Sequence, residues 1–78
     1  MTPEDRARAA ERLLDDPLVM QLLNAIEADA IEAMLQAETD EGRRAGRDTV
    51  KTVRAFRNGL RYQLTASQEV KRPRPGVV

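Results

Sequence analysis

The sequence predicts an all-α fold: an antiparallel helical hairpin with a short N-terminal helix and an extended basic C-terminal arm. Apolar residues recur at spacings of three and four, which is the period of an amphipathic helix. No stretch shows the alternating pattern of a β-strand. Helix-breaking residues occur at 15–17, at 38–46 and in the final Pro-rich stretch. These breaks divide the chain into three helices and a tail.

The first helix is predicted over about 3–14. Thr2 is a good N-cap, a proline follows at the first helical position, and Asp5 stands where the acid of a capping box would be. The helix has to end before Pro17, because the residue that precedes a proline is pushed out of the α region. Either aspartate of the Asp–Asp–Pro sequence can then cap a second helix. We therefore expect a sharp corner between two helices.

The second helix, about 17–38, contains no proline or glycine after its first residue. Its apolar residues cover more of the cylinder than the single core-facing stripe of a typical surface helix. One neighbouring helix cannot cover so wide an arc, and we expect part of it to contact another protein chain. The predicted protein interface consists of Val19, Leu22, Leu23, Ile26, Ile31, Met34 and Leu35.

The third helix is predicted over about 43–68, after a turn in which Thr39 and Asp40 are capping residues. Which of Gly42 and Gly46 lies outside this helix is left open. The short connection makes the second and third helices antiparallel neighbours. The expected core-facing stripe consists of Val50, Val53, Phe56, Leu60 and Leu64. A basic strip beside it contains Arg43, Arg47, Lys51, Arg54 and Arg61.

The domain organisation follows from these elements. Residues 1–68 are expected to form one helical domain and residues 69–78 an extended Pro- and Arg-rich tail, because alternating prolines are incompatible with a helix. A chain of this size buries only roughly 60% of its unfolded surface, and this one has no Cys, one Phe and one Tyr. Its stability as a monomer is therefore expected to be marginal, and burial against another chain is the expected remedy.

Charge is segregated along the chain although the formal net charge is zero. Up to Glu41 there are eleven acidic residues against three basic ones, a net charge of −8. From Gly42 onward there are ten basic residues against two acidic ones, a net charge of +8. Such asymmetry indicates either mutual pairing of the two halves or a basic surface that binds a partner, and both interpretations stay open.

Nothing in the sequence indicates a membrane protein or a secreted one. No apolar run approaches the roughly 20 residues that span a bilayer. The N-terminal residues carry acids and lack the basic-then-apolar order of a signal peptide. A cytosolic or intracellular assembly setting, without membrane contact, is therefore expected.

Catalysis is not expected, nor is a cofactor or a small-molecule substrate. The chain has no His and no Cys, so it lacks the commonest general base and the commonest ligands of transition metals. Asp15 and Asp16 are adjacent, and adjacent side chains on a helix point in different directions. Asp29 and Glu32 share a strip and could contribute to a divalent cation site only with help from another chain. A solvated or ion-paired polar surface is the simpler interpretation of both pairs.

Nucleic-acid binding is the main alternative to a protein interface. The basic strip of the third helix, together with Arg72 and Arg74 of the tail, has the charge that phosphates attract. Against this stand the zero net charge, the scarcity of aromatic residues for base stacking and the acidic N-terminal half. Pairing of the strip with acids of the first two helices, or of a neighbouring subunit, is the favoured interpretation.

Two stretches of the chain carry a resemblance to known proteins. They are RLLDDPLVMQLLNAIEADAIEAM, residues 12–34, and GRRAGRDTVKTVRAFRNGL, residues 42–60. They resemble small helical proteins that are encoded among the structural and packaging genes of tailed bacteriophages and prophages. In those proteins a leucine pair, an aspartate and a proline open a long Ala- and Glu-rich helix, and an arginine-bearing turn leads to a second amphipathic helix. The resemblance covers roughly residues 9–64, and the KRPRPGVV ending departs from it.

The resemblance implies a virion-associated or head-assembly accessory protein that is present in several copies and held by its neighbours. Our leading hypothesis is a non-enzymatic phage structural or assembly component, a homo-oligomer and/or a partner of a larger head or portal protein. The alternative is a nucleic-acid-binding accessory of DNA packaging, similar in role to small terminase subunits. A small inhibitor or antitoxin-like binder of one host protein is a third hypothesis.

Overall fold

A computed structural model of the protein contains three helices, α1 (Pro3–Asp15), α2 (Pro17–Gln36) and α3 (Asp40–Lys71). The structure describes the backbone of residues 1–71 and the side chains of residues 1–66. Within that part of the chain there is no β-strand. The predicted all-α class is therefore confirmed, as is the helical hairpin, which α2 and α3 form.

A capping box holds the start of α1, as predicted. The backbone N–H of Asp5 donates to Thr2 Oγ1 at 3.1 Å, and the backbone N–H of Thr2 donates to Asp5 Oδ2 at 3.3 Å. The hydrogen bonds from Thr2, followed by one from Arg8, lower the pKa of the Asp5 carboxyl. The box satisfies N–H groups that have no partner within the helix itself.

A single residue, Asp16, separates α1 from α2. Its backbone is extended, with φ −79° and ψ 113°, as expected for the residue before a proline. Its carboxylate accepts hydrogen bonds from the backbone N–H groups of Leu18 and Val19, at 2.9 and 3.4 Å. Asp16 is therefore the cap of α2, whereas Asp15 is the last residue of α1.

We expect Asp16→Ala to lower the free energy of unfolding by about 1 kcal/mol, because the substitution removes the N-cap of α2. In a chain of this size the midpoint of thermal unfolding should fall by roughly 4–8 °C. Asp15→Ala is the matched control, since it removes the same charge from the neighbouring position without removing a cap. Thermal unfolding followed by circular dichroism measures both variants, and equal effects would contradict the capping role.

The start of α3 lies three residues earlier than predicted, because Thr39 caps the helix. Thr39 Oγ1 accepts a hydrogen bond from the N–H of Gly42 at 3.1 Å, and the Thr39 carbonyl accepts one from the N–H of Arg43 at 3.2 Å. The helix begins at Asp40 and contains both Gly42 and Gly46. Neither Gly42 nor Gly46 therefore lies outside the helix.

The C-terminal end of α3 lies at Lys71, three residues beyond the predicted end at Gln68. Residues 69–71 are therefore helical, which corrects the prediction that they belong to an extended tail. The physical reason is that the first proline of the ending is Pro73, and a proline restricts its own backbone and that of the preceding residue. The rest of the predicted tail, residues 72–78, lies outside the described residues.

The central helix of the fold is α3. Both α1 and α2 pack along α3, whereas α1 and α2 contact each other only sparsely. Among the described residues the buried apolar side chains are small ones, Ala10, Ala30, Val50 and Val53. So small a core leaves much of the chain's apolar surface in contact with water.

Gly46 allows α2 and α3 to approach each other closely. A Cβ atom at this position would overlap Met34 Cγ and would lie 2.9 Å from the carbonyl oxygen of Ala30. That carbonyl belongs to the backbone of α2, so it can move only if the helix moves. At Gly59, in contrast, a Cβ atom would meet nothing within 4 Å. The contact at Gly46 therefore limits the distance between the two helices.

The buried seam of α3 differs from the predicted stripe at one position. Phe56 is 49% exposed, and Arg57 takes its place between the buried Val53 and the half-buried Leu60. Residue type misled the prediction, because an arginine can be buried when its guanidinium is paired. The observed seam has spacings that alternate between three and four and consists of Val50, Val53, Arg57, Leu60 and Leu64.

Candidate protein interface

Small side chains leave an open groove between α2 and α3 with a volume of about 400 Å³. From α2 the groove is lined by Ile26, Asp29, Ala30 and Ala33. From α3 it is lined by Gly42, Ala45, Gly46 and Thr49. Because most of these residues are alanine or glycine, another helix could approach this side of the hairpin closely and insert side chains into the groove.

Large apolar residues lie beside the groove and are exposed. Leu18 and Leu22 precede Ile26 at spacings of four and so share its side of α2, and the three are 60%, 53% and 46% exposed. Phe56 follows Thr49 by seven residues, about two turns of α3, and is 49% exposed. We call this combined surface the groove face; it consists of Leu18, Leu22, Ile26, Asp29, Ala33, Ala45, Thr49 and Phe56.

The groove face is almost uncharged. Asp29 is the single ionisable side chain among the described residues that line the groove, and the lining contains no Lys or Arg. The centres of interfaces between protein chains are likewise depleted of charged residues and enriched in large apolar ones. A cluster of large exposed apolar residues is typical of a binding site for another molecule.

A cluster of ionic hydrogen bonds joins α2 to α3 at the edge of the seam away from the groove face. Asn24 lies two residues from Ile26, and Arg54 two residues from Phe56, which is about 160° around each helix. Arg57 donates to Glu27 Oε1 at 2.9 Å and to Asn24 Oδ1 at 2.8 Å, and Arg54 donates to the same Glu27 oxygen at 3.4 Å. The side chains of Arg57 and Glu27 are only 15% and 20% exposed. Chiefly through its hydrogen bond, Arg57 lowers the pKa of the Glu27 carboxyl.

We expect the protein to lose stability in acid as Glu27 becomes protonated. Because its pKa is lower in the folded chain than in the unfolded one, the cluster stabilises the fold at pH values above about 4.3, the usual pKa of Glu. That contribution is lost as the pH falls through the lowered pKa of the folded state. We therefore expect Glu27→Gln to be less stable than the wild type at neutral pH and to lose less stability on acidification.

Thermal unfolding of both proteins over a series of pH values measures this difference. Asp5 also has a lowered pKa, but it is present in both proteins and contributes equally to their acid sensitivity. The difference between the two curves therefore isolates Glu27. Curves that run parallel from neutral to acidic pH would contradict the stabilising role of this carboxylate.

The structure divides the predicted protein interface, because α3 packs against the middle of the wide apolar arc of α2. Leu22 and Ile26 lie on the groove face. Ile31 and Leu35 are exposed as well, at 40% and 77%, but they lie about 140° and about 180° around α2 from Ile26. The remaining three residues are half-buried within the chain, namely Val19, Leu23 and Met34. The seven residues therefore do not form one surface.

The predicted basic strip is partly neutralised within the chain. Arg43 forms an ion pair with Asp40. Arg54 pairs with Glu27 and keeps a side chain that is 61% exposed. The other described members of the strip are exposed: Arg47, Lys51 and Arg61. Outside the described residues lie the two arginines that were predicted to extend the strip into the tail, Arg72 and Arg74.

Two residues of these surfaces were missed in the sequence. Phe56 was assigned to the core but lies on the groove face, and Arg57 was left out although it bonds to α2 through two side chains. The spacing of the seam contained the necessary signal. With Arg57 the spacings alternate regularly between three and four, whereas with Phe56 they do not.

The carboxylates that were considered as catalytic or metal-binding groups have other roles in the structure. Asp16 is a helix cap, Asp29 lines the groove, and Glu32 accepts a hydrogen bond from Gln36 at 2.7 Å. In the described part of the chain no cluster of three or more metal-binding side chains is found. No helix within that part has the length and hydropathy required to cross a membrane.

The two sides of the hairpin therefore differ in chemistry. One side carries the ionic cluster that joins α2 to α3, and the other carries the groove face, whose apolar side chains and small-residue groove suit association with another protein chain.

Comparison of the sequence with family models and with curated proteins, and of the fold with solved structures, gave no match.

Proposed function

We propose that this protein is a non-enzymatic assembly component that acts by packing its helical faces against other protein chains. The observation that carries the proposal is the groove face, where Leu22, Ile26 and Phe56 flank a groove of small residues and are each about half exposed. Covering such a surface contributes about 25 cal/mol for each Å² of apolar area. The small buried core makes that contribution large relative to the stability of the chain alone.

The more specific part of the proposal is a phage structural or head-assembly role, in the virion or the host cytoplasm. The resemblance of roughly residues 9–64 to small helical proteins of phage structural gene clusters supports it. Proteins in such assemblies are held by their neighbours, which suits a chain with little core of its own. The proposed partners are copies of this chain and/or a larger head or portal protein.

Measurement of the molar mass by light scattering tests the proposal. The protein is measured alone over a wide range of concentrations, and then mixed with head and portal proteins of the same genome. We expect a mass above the 8.7 kDa of one chain in at least one of these conditions. The thermal midpoint should also rise with concentration or with added partner. A chain that stays monomeric throughout and melts at a constant temperature contradicts the proposal.

A second candidate, a nucleic-acid-binding accessory of DNA packaging, is favoured by the alignment of Arg47, Arg54 and Arg61. These residues recur every seven positions and therefore share one side of α3. The pairing of Arg54 with Glu27 reduces the charge of that side. Titration of DNA binding with salt separates the two candidates, because phosphate contacts lose affinity steeply as salt is added. No binding at low salt would exclude the second one.

A further inference from the structure

We infer that the groove face is the surface on which a second copy of this chain packs, related to the first by a two-fold axis. The inference rests on the proposed function and names the surface and the occupant that the proposed function leaves open. Three features carry it: the excess of exposed surface, the shape of the groove face and the distribution of charge.

The chain exposes more surface than a compact monomer of its mass. Its accessible surface is 6319 Å², whereas a folded monomer of this mass exposes about 4,700 Å². If residues 72–78 are allowed the full surface of an extended chain, about 1,100 Å², then about 5,200 Å² remains for residues 1–71. A folded monomer of the mass of residues 1–71 exposes about 4,400 Å², so the excess is roughly 800 Å². A standard interface buries about 800 Å² on each partner. The excess therefore matches the area that one copy contributes to an interface of standard size.

The groove face contains both a groove and the side chains that can fill it. Ala33 and Thr49 line the groove, and Ile26 and Phe56 lie seven residues from them, which is about 10 Å along each helix. A two-fold interface uses the same patch on both copies, so the patch must be complementary to itself. We place the two-fold axis between the pair Ile26 and Phe56 and the pair Ala33 and Thr49. Ile26 and Phe56 of each copy then lie over Ala33 and Thr49 in the groove of the other copy.

The distribution of charge favours association of this face with its own copy. The formal net charge is zero, so two copies do not repel each other overall. The ion pairs of Arg54 and Arg57 lie at the edge of the seam away from the groove face. A strongly charged partner could therefore pair with one ionisable group of the groove lining, Asp29. A second groove face, in contrast, supplies apolar side chains that the groove can accept.

Asp29 distinguishes a two-fold dimer from a complex with a different protein. It lies between Ile26 and Ala33 in α2 and therefore near the proposed axis, where it approaches its counterpart in the second copy. Two carboxylates repel each other, so the dimer should be weak and readily reversible. Removal of this charge should tighten a two-fold dimer, whereas it should weaken a complex with a basic helix of a different protein.

Two isoleucines of α2 provide the first test. Ile26→Asp places a charge on the groove face, and Ile31→Asp places the same charge at a similarly exposed position on another side of the helix (40% against 46%). Sedimentation equilibrium of the full chain measures the dimer Kd. We expect Ile26→Asp to raise it at least about thirtyfold and Ile31→Asp to change it less than about threefold. Equal effects would overturn the inference.

The second test has an effect that impaired folding cannot imitate, because the expected result is a gain of affinity. We expect Asp29→Asn to lower the dimer Kd by about threefold to tenfold. A raised or unchanged Kd would overturn the two-fold arrangement.

Distances between spin labels provide a third test, because the chain has no Cys and a single label can be attached to a Cys variant. We expect the distance between the two labels of a dimer to be shorter for Asp29→Cys than for Ile31→Cys.

The outcomes separate this inference from the proposed function. A chain that is monomeric alone but binds a head or portal protein overturns the inference and supports the proposed function. Self-association that persists in Ile26→Asp also overturns the inference and supports the proposed function, because the copies then associate through a surface other than the groove face. A chain that associates with neither a copy of itself nor such a protein contradicts both.

Discussion

Replacement of Gly46 by alanine is expected to lower the free energy of unfolding by about 2–3 kcal/mol, in the upper part of the range for overpacked cores. The added Cβ would overlap Met34 Cγ and lie 2.9 Å from the carbonyl oxygen of Ala30. The Met34 side chain can rotate away, but the carbonyl moves only with α2. The two helices must therefore separate, and the small side chains between them lose contact.

Gly59→Ala is the matched control, because it adds the same methyl group to the same helix at a position where nothing lies within 4 Å. Here the expected result is stabilisation by about 0.5–1 kcal/mol, since alanine has the higher helix propensity. Chemical denaturation followed by circular dichroism measures both variants, in the Ile26→Asp background so that self-association does not contribute. If Gly46→Ala proved as stable as Gly59→Ala, the close approach of α2 and α3 would be wrong.

Arg57→Met is expected to lower the free energy of unfolding by about 2 kcal/mol. Methionine keeps much of the apolar stem but removes the guanidinium that bonds to Glu27 and Asn24. The loss should be smaller than the roughly 3–5 kcal/mol of a fully buried ion pair, because both partners keep some exposure and Arg54 remains 3.4 Å from the Glu27 carboxylate.

Arg54→Met is the control for this substitution, since Arg54 bonds to the same oxygen of Glu27 from a side chain that is 61% exposed. Exposed ion pairs contribute little, so we expect a change below about 0.5 kcal/mol. The same denaturation experiment measures both variants. Equal losses for Arg54→Met and Arg57→Met would show that the burial of Arg57 does not strengthen its contacts.

The contacts of Gly46 and Arg57 act on different properties of the hairpin. Gly46 limits how closely α2 and α3 approach, and the bonds of Arg57 to Asn24 and Glu27 fix which residues face each other. Both contacts leave the side chains of Ile26 and Phe56 about half exposed. The proposed interface therefore depends on these two contacts between α2 and α3, because the groove exists only while the small residues of both helices stay close.

The number, order and approximate bounds of the helices can be predicted from short stretches of sequence. Thr2 with Asp5, and Asp16 before Pro17, act within a few residues of themselves, and the structure contains the hydrogen bonds that each pattern predicts. The second helix ends at Gln36, two residues before its predicted end. Larger errors lie at the ends of α3, because the helix begins directly after the predicted capping residue Thr39 and continues closer to Pro73 than expected. Local backbone chemistry is sufficient for this level of structure because its interactions do not depend on the rest of the fold.

The assignment of side chains to core or surface required the packed structure. The apolar arc of α2 has no unique inward direction in the sequence, and the position of α3 makes Ile26 part of the groove face while turning Ile31 away from it. In α3 residue type favours Phe56 for the core, although the regular spacing of the seam favours Arg57. Arg57 can be buried because Glu27 and Asn24, some 30 residues away, satisfy its guanidinium. Pairings between residues so distant in sequence are set by helix packing, and local sequence patterns carry no record of them.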